Sequence, residues 1–316
     1  MSASGLGSSG GLRVLVTGAS GLLGCNAALS WLGDFEVVPT YGSRSVDLPG
    51  AFALDLGASG ASDVLAATYP DVIVHCAAAT DVGRCEREPE WARRANVDAT
   101  RAAAEAARDS GARLIHISTD AVFDGRTGGY SEDDAPRPVN EYARTKLEAE
   151  GVALETAQKC LVVRTNIFGW SPVAGRGLAE WLFRQLSDGC KVTGFADTFF
   201  SPVLVNDLAV LLRVLVTNPA TGILHVAGRD RMSKYDFARR LATACDLDAE
   251  LIAQGSMADA MLATPRPRDT SLDCTRAERL GLRLPGIDSA LSEFASLGSS
   301  GWSQRLRSLA KGDDDA

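Results

Sequence analysis

The chain has 316 residues, 46% of them hydrophobic, which is enough for one large domain and a smaller one beside it. A net charge of −8 with no Lys/Arg cluster argues against a nucleic-acid binder. Seven scattered cysteines without a CxxC pair argue against a disulfide framework and a structural zinc site, and suit a reducing cytoplasm.

The opening MSASGLGSSGG lacks the basic-then-apolar order of a secretory signal. Residues 1–10 read as a flexible arm. No apolar run approaches the roughly 18–20 residues of a membrane span. Leu12–Val16 predicts a buried strand, Gly21–Leu32 a helix and Glu36–Pro39 a second strand. Val72–His75 and Arg113–Ile117 are further apolar strands, with the Ala-rich helical stretch Trp91–Asp109 between them. Asn140–Gln158 predicts another helix, followed by the strand Cys160–Arg164. This alternation predicts an α/β fold: a Rossmann-type, doubly wound parallel sheet over residues 11–169. After Gly169 the texture changes to glycine- and proline-bearing loops and shorter elements. Residues 170–310 read mostly as a smaller mixed α/β substrate domain, with a helix near 206–216 returning to the first domain. Residues 311–316 read as an acidic tail.

The first strand runs into Thr17-Gly18-Ala19-Ser20-Gly21-Leu22-Leu23-Gly24 and then opens a helix. Residues without side chains let the backbone approach a pyrophosphate, whose charge the helix N-terminus favours. The context makes this loop, Gly18 and Ser20 through Gly24, a dinucleotide site. After the second strand come Ser43 and Arg44, with no acid until Asp47. A carboxylate there would hold the 2′-hydroxyl of NAD; an arginine accommodates a 2′-phosphate. NADP(H) is therefore the preferred cofactor, with NAD(H) the alternative. Asp55 and Leu56 are placed at the adenine edge. Ala77, Ala78 and Ala79 end the third long strand and leave room for the nicotinamide ribose.

Tyr142 and Lys146 are four apart and share a helix face. A tyrosine of ordinary pKa near ~10 is a poor acid–base group at neutral pH, and a neighbouring ammonium is expected to lower it. The spacing alone is common. It gains weight because the buried strand Ile115–Ile117 ends in Ser118-Thr119-Asp120, where a hydroxyl can stabilise a developing oxyanion.

The loop TGASGLLG, the strand end STDAVFDG, the segment YSEDDAPRPVNEYARTK and the later RTNIFG resemble the extended short-chain dehydrogenase/reductases. STDAVFDG, AAATDVGRCEREPE and RPRDTSLD resemble the dTDP-4-dehydrorhamnose reductase branch. The likeness spans roughly Leu12 to Leu282. It implies a catalytic triad of Thr119, Tyr142 and Lys146, with Tyr142, Lys146 and the active-site helix asparagine Asn96 also touching the cofactor. Thr80, Ser118, Thr119, Asp120 and Asn166 are the expected substrate contacts. Departures from the family pattern are Ala121, Ala143 and Asp197–Pro202. Arg266 and Arg268, in a proline-stiffened loop, are placed as a clamp on a nucleotide diphosphate. Trp170, Phe199 and Phe200 either wall the sugar pocket or belong to the core of the second domain. No metal site is expected. His75, His116 and His225 read as strand histidines, and the acids from Asp120 to Asp134 as a solvated loop.

The resemblance implies NADPH-dependent reduction of the C4 ketone of a nucleotide-linked 4-keto-6-deoxy sugar, in deoxysugar biosynthesis in the cytoplasm, by a protein that can be a homodimer. A second reading is an NADP-binding regulatory subunit similar to that of methionine adenosyltransferase. A third is a nucleotide-sugar epimerase. Dehydration is disfavoured, because Thr119 is followed by Asp120-Ala121 and not by an Asp-Glu pair.

Overall fold

A computed structural model describes residues 11–311 apart from Arg176 and Leu262. The expected flexible arm, residues 1–10, and positions 312–316 of the expected tail lie outside the described residues. Lys311, the first residue assigned to that tail, belongs instead to a two-residue strand.

Seven strands form the central sheet: β1 (Arg13–Thr17), β2 (Glu36–Tyr41), β3 (Phe52–Ala53), β4 (Val72–His75), β5 (Arg113–Thr119), β6 (Cys160–Thr165) and β7 (Gly222–His225). Their order is β7-β6-β5-β4-β1-β2-β3 and every pairing is parallel. This is the Rossmann-type, doubly wound sheet expected from the alternation. Parallel strands are covered on both faces, so they read as unbroken apolar runs. Alternate residues serve opposite cores here. Val14, Val16, Val74 and Val163 pack on one side, and Leu15, Ile73, Leu114 and Val162 on the other.

The long helices flanking the sheet, among the described residues, are α1 (Leu22–Trp31), α2 (Ala99–Ser110), α3 (Glu141–Thr156) and α4 (Val205–Thr217). Alanines on the buried face of α2 let it lie close to the strands. It stops at Gly111, whose left-handed φ of 72° costs a glycine little. Ahead of α2 the helix widens by one turn over Arg94–Asp98. α4 docks on α1, where the Trp31 indole donates to the Ala209 carbonyl at 3.1 Å. No helix among the described residues is long and apolar enough to cross a membrane.

The chain reverses its winding direction between β1 and β4, which are neighbours in the sheet. In open parallel sheets that reversal leaves a crevice at the carboxyl ends of the strands. The glycine loop after β1 and the Ala77–Ala79 segment after β4 both open there.

Candidate active site

A cavity of ≈ 470 Å³ occupies this crevice. Ser20, Gly21, Leu22, Leu23 and Gly24 form one wall, and Thr119, Tyr142 and Lys146 face them with Ala78, Thr80, Ser118, Asp120 and Asn166. The glycines divide in function. A Cβ on Gly18 (φ 68°) would lie 2.7 Å from the Ala77 backbone, and one on Gly24 would lie 2.3 Å from the Gly18 carbonyl oxygen. Packing of chain on chain therefore demands both. At Gly21 a Cβ would be tight but not excluded, at 3.2 Å from the same oxygen. What glycine keeps small there is the surface towards the cavity. The first turn of α1 carries no acidic residue, so nothing on it competes for an anion. These residues fit a dinucleotide pyrophosphate.

A second hollow of ≈ 700 Å³ adjoins the first at Ala78. Ser43, Asp55, Leu56, Ala77 and Ala79 line it, with Gly18 at its mouth. Arg44 is half-buried and stands one residue beyond that wall. Asp55 is not free: Arg94 donates to it at 2.5 Å.

α3 delivers the tyrosine and lysine. Asn140 caps its N-terminus by accepting from the Ala143 amide at 3.0 Å, and its side-chain amide donates to the Pro265 carbonyl at 3.0 Å. The cap thus ties the start of α3 to the loop carrying Arg266. Burial pushes the Tyr142 phenol up to about 12; the Thr119 hydroxyl pulls it down through a side-chain hydrogen bond, and the Asp120 charge raises it further. The expected lowering of this phenol by Lys146 is not what the geometry gives. The Lys146 ammonium donates to the Ile117 carbonyl at 2.8 Å and stands 3.5 Å from His116 Nε2. It is held back against β5, and desolvation dominates the phenol. Tyr142 is accordingly held protonated across the physiological range.

Burial lowers Lys146 itself to about 8, opposed by the Glu150 and Cys76 charges. The sign follows directly: the ammonium is present below about 8 and lost above it, where a solvated lysine keeps its proton to about 10.4. Turnover that needs the ammonium should therefore fall as pH rises through about 8. A pH profile of kcat checks this. Lys234 is also lowered to about 8 by burial. A Lys234→Met variant separates the two groups, since the falling limb should survive in it.

Beside the triad lies a polar cluster that joins distant parts of the chain. The buried Asp120 carboxylate accepts from Asn166 at 2.7 Å and from the Thr270 hydroxyl. Burial raises the Asp120 carboxyl, and the two hydrogen bonds and the Lys234 charge work against the rise. The Lys234 ammonium sits 3.2 Å from the centroid of the Phe200 ring. The sequence reading missed Lys234 and Thr270. One signal was available for Lys234. It is the first residue of the helix Lys234–Ala244, the positive end of the dipole, where a cation is out of place without a neighbouring acid.

Several expected site residues serve elsewhere. Trp170 belongs to the core and not to the wall of the central cavity: its ring stacks on Phe294 at 4.4 Å and its indole donates to the Phe294 carbonyl at 2.8 Å. Phe199 lies under the Arg231 guanidinium at 3.9 Å and lines a separate hollow of ≈ 360 Å³. Arg266 and Arg268 form no common clamp, because each is drawn to different partners. Arg268 turns to Asp197 at 3.6 Å, while Arg266 bears on Tyr142 and Asp81. Asn96 is fully buried. It accepts from the Ala79 amide at 2.8 Å and donates to Thr145 Oγ1 at 2.9 Å, so it positions the β4 loop against α3. The Ser118 hydroxyl is committed to Glu150, whereas the Thr119 hydroxyl donates to Asp120 Oδ1 at 3.2 Å and faces the cavity.

The model of the RmlD substrate binding domain family matches residues 12–297. Among curated proteins the chain is 32% identical over 302 residues to the probable low-salt glycan biosynthesis reductase Agl14 of Haloferax volcanii, covering 90% of this chain and 100% of that one. It is 33% identical over 280 residues to methionine adenosyltransferase 2 subunit beta of Danio rerio, covering 85% of each. Among solved structures it resembles dTDP-4-dehydrorhamnose reductase from Bacillus anthracis in complex with NADP, with TM-score 0.81 and 27% identity, covering 90% of this chain and 98% of that one.

Proposed function

The chain belongs to the RmlD substrate binding domain family, and we propose that it is an NADP-linked oxidoreductase that reduces the C4 ketone of a nucleotide-linked 4-keto-6-deoxy sugar. One observation carries this reading. Thr119, Tyr142 and Lys146 face the α1 glycine loop across a single cavity. The NADP complex of the Bacillus anthracis reductase supports the choice of cofactor. Soluble, cytoplasmic deoxysugar biosynthesis fits the same reading.

Gly21 through Gly24 would hold the pyrophosphate, with Ser43 and Arg44 at the 2′-phosphate and Asp55 and Leu56 at the adenine. When bound there, the nicotinamide would supply the hydride. Tyr142, protonated up to about pH 12, gives its proton to the oxygen that gains charge. Thr119 donates to that oxygen and limits the charge it must carry. Lys146, its ammonium held on the Ile117 carbonyl, adds a positive charge to the cavity wall. A neutral phenol in this site favours reduction over the reverse oxidation, which would need a phenolate.

The test is NADPH consumption against a panel of 4-keto-6-deoxy sugars carried on dTDP, UDP and GDP. Steady turnover with one of them supports the reading; none with any overturns it. The likeness to methionine adenosyltransferase beta subunits favours a second reading, an NADP-binding regulatory subunit. Absent turnover together with co-purification of a catalytic methionine adenosyltransferase subunit would favour it.

A further inference from the structure

The family match ends at residue 297, yet the described chain continues to Lys311. These last residues form an arm that folds back across the first domain. Gly301 turns the chain through a left-handed φ of 82°, and the helix Trp302–Leu309 begins. Its Leu306 is fully buried in the main core.

Three polar attachments tie the arm to the parts that frame the cofactor crevice. The Trp302 indole donates to Asn26 Oδ1 at 2.9 Å. Asn26 is a fully buried residue of α1, and its own amide donates to the Leu22 and Trp170 carbonyls. Arg307 donates to the buried Glu180 carboxylate at 2.6 Å. Glu180 also accepts from the Ser171 and Gly175 amides, so the arm reaches the loop whose Ser171 and Val173 line the central cavity. Finally, the Leu309 carbonyl accepts from the Asp47 amide at 2.7 Å, and Ala310–Lys311 pairs antiparallel with Ser45–Val46.

The strand pairing bears directly on Ser43 and Arg44. They immediately precede Ser45, in a bend that belongs to no strand pairing among the described residues. Fixing Ser45 and Val46 fixes the outgoing end of that bend. Holding a loop in its bound shape before binding raises affinity, because less freedom is lost on association.

We propose that the C-terminal arm is a positioning strap for the 2′-phosphate loop, and that it sets the preference for NADP over NAD without touching the reacting atoms. The proposal rests on the cofactor assignment above, and the experiment keeps the two apart. Chains ending after Lys311 and after Leu309 are compared with the full chain, and NADP⁺ and NAD⁺ affinities are measured by calorimetry. Both truncations keep the helix Trp302–Leu309, and thermal unfolding verifies that they fold. The chain ending after Lys311 should bind as the full chain does. The one ending after Leu309 should bind NADP⁺ about tenfold more weakly, with NAD⁺ changed by less than about twofold. A Trp302→Phe variant, which loses the bond to Asn26 and keeps the ring, should move the same ratio in the same direction. Equal NADP⁺ affinity in all chains overturns the strap, and so does an equal loss for both nucleotides. If the full chain binds neither nucleotide, the cofactor assignment itself is wrong.

Discussion

Replacing Tyr142 by Phe should reduce kcat by about 10²–10⁴-fold, the usual worth of a positioned general acid, while the protein stays folded. The phenol oxygen is the only atom lost. Tyr142 is half-buried beside the cavity, and its ring packs with Ala79, Cys85 and Ala92. Phe keeps that packing, so unfolding should shift little. Activity falls because no neighbour can take over. The nearby Thr119 hydroxyl donates to Asp120 Oδ1 at 3.2 Å and is a far weaker acid, and the Lys146 ammonium is held on the Ile117 carbonyl. Measured kcat and KM separate the roles. A loss confined to kcat marks a group acting in the transition state, whereas a loss confined to KM would remove Tyr142 from the chemistry.

The largest effect on stability is expected at the ion pair behind the triad. Arg164 on β6 grips Glu150 on α3 with both Nε and Nη2, at 2.7–3.2 Å, and both side chains are almost wholly buried. Ser118 adds a third donor to the same carboxylate. Arg164→Met leaves Glu150 charged, buried and without its cation. Breaking a buried pair in this way costs about 3–5 kcal/mol. The double variant Glu150→Met/Arg164→Met should recover much of that loss, because removing both charges removes the desolvation penalty too. Denaturant midpoints for the single and double variants check both statements. If the single variant is as stable as the parent, the pair contributes nothing. The pair also touches function, since the Glu150 charge opposes the lowering of Lys146.

How much of this was legible in the residues depends on the range over which each feature is decided. The strands of the sheet were readable because parallel strands buried on both faces must be apolar at every position. The glycine loop was readable because a turn and a helix start are local events. Thr119, Tyr142 and Lys146 were readable as strand-end and helix-face positions. The direction of the Tyr142 shift was not, since it depends on how deeply the phenol is buried and where the Lys146 ammonium finds its partner. Trp170 and Phe199 were ambiguous because an aromatic serves a core or a pocket equally well until its neighbours are known.

By itself, the sequence determined the doubly wound sheet, which rests on short-range pattern and backbone geometry; the glycine loop was marked by its local context, and the three candidate chemical groups by resemblance to a family. Only the tertiary structure decided what surrounds them. It brought Thr270 onto Asp120 across 150 residues. It set Lys234 near the same carboxylate, parted Arg266 from Arg268, and laid the C-terminal arm against Ser45–Val46. These are contacts between segments with no common periodicity, and burial and charge pairing select them only once the sheet has brought the segments together.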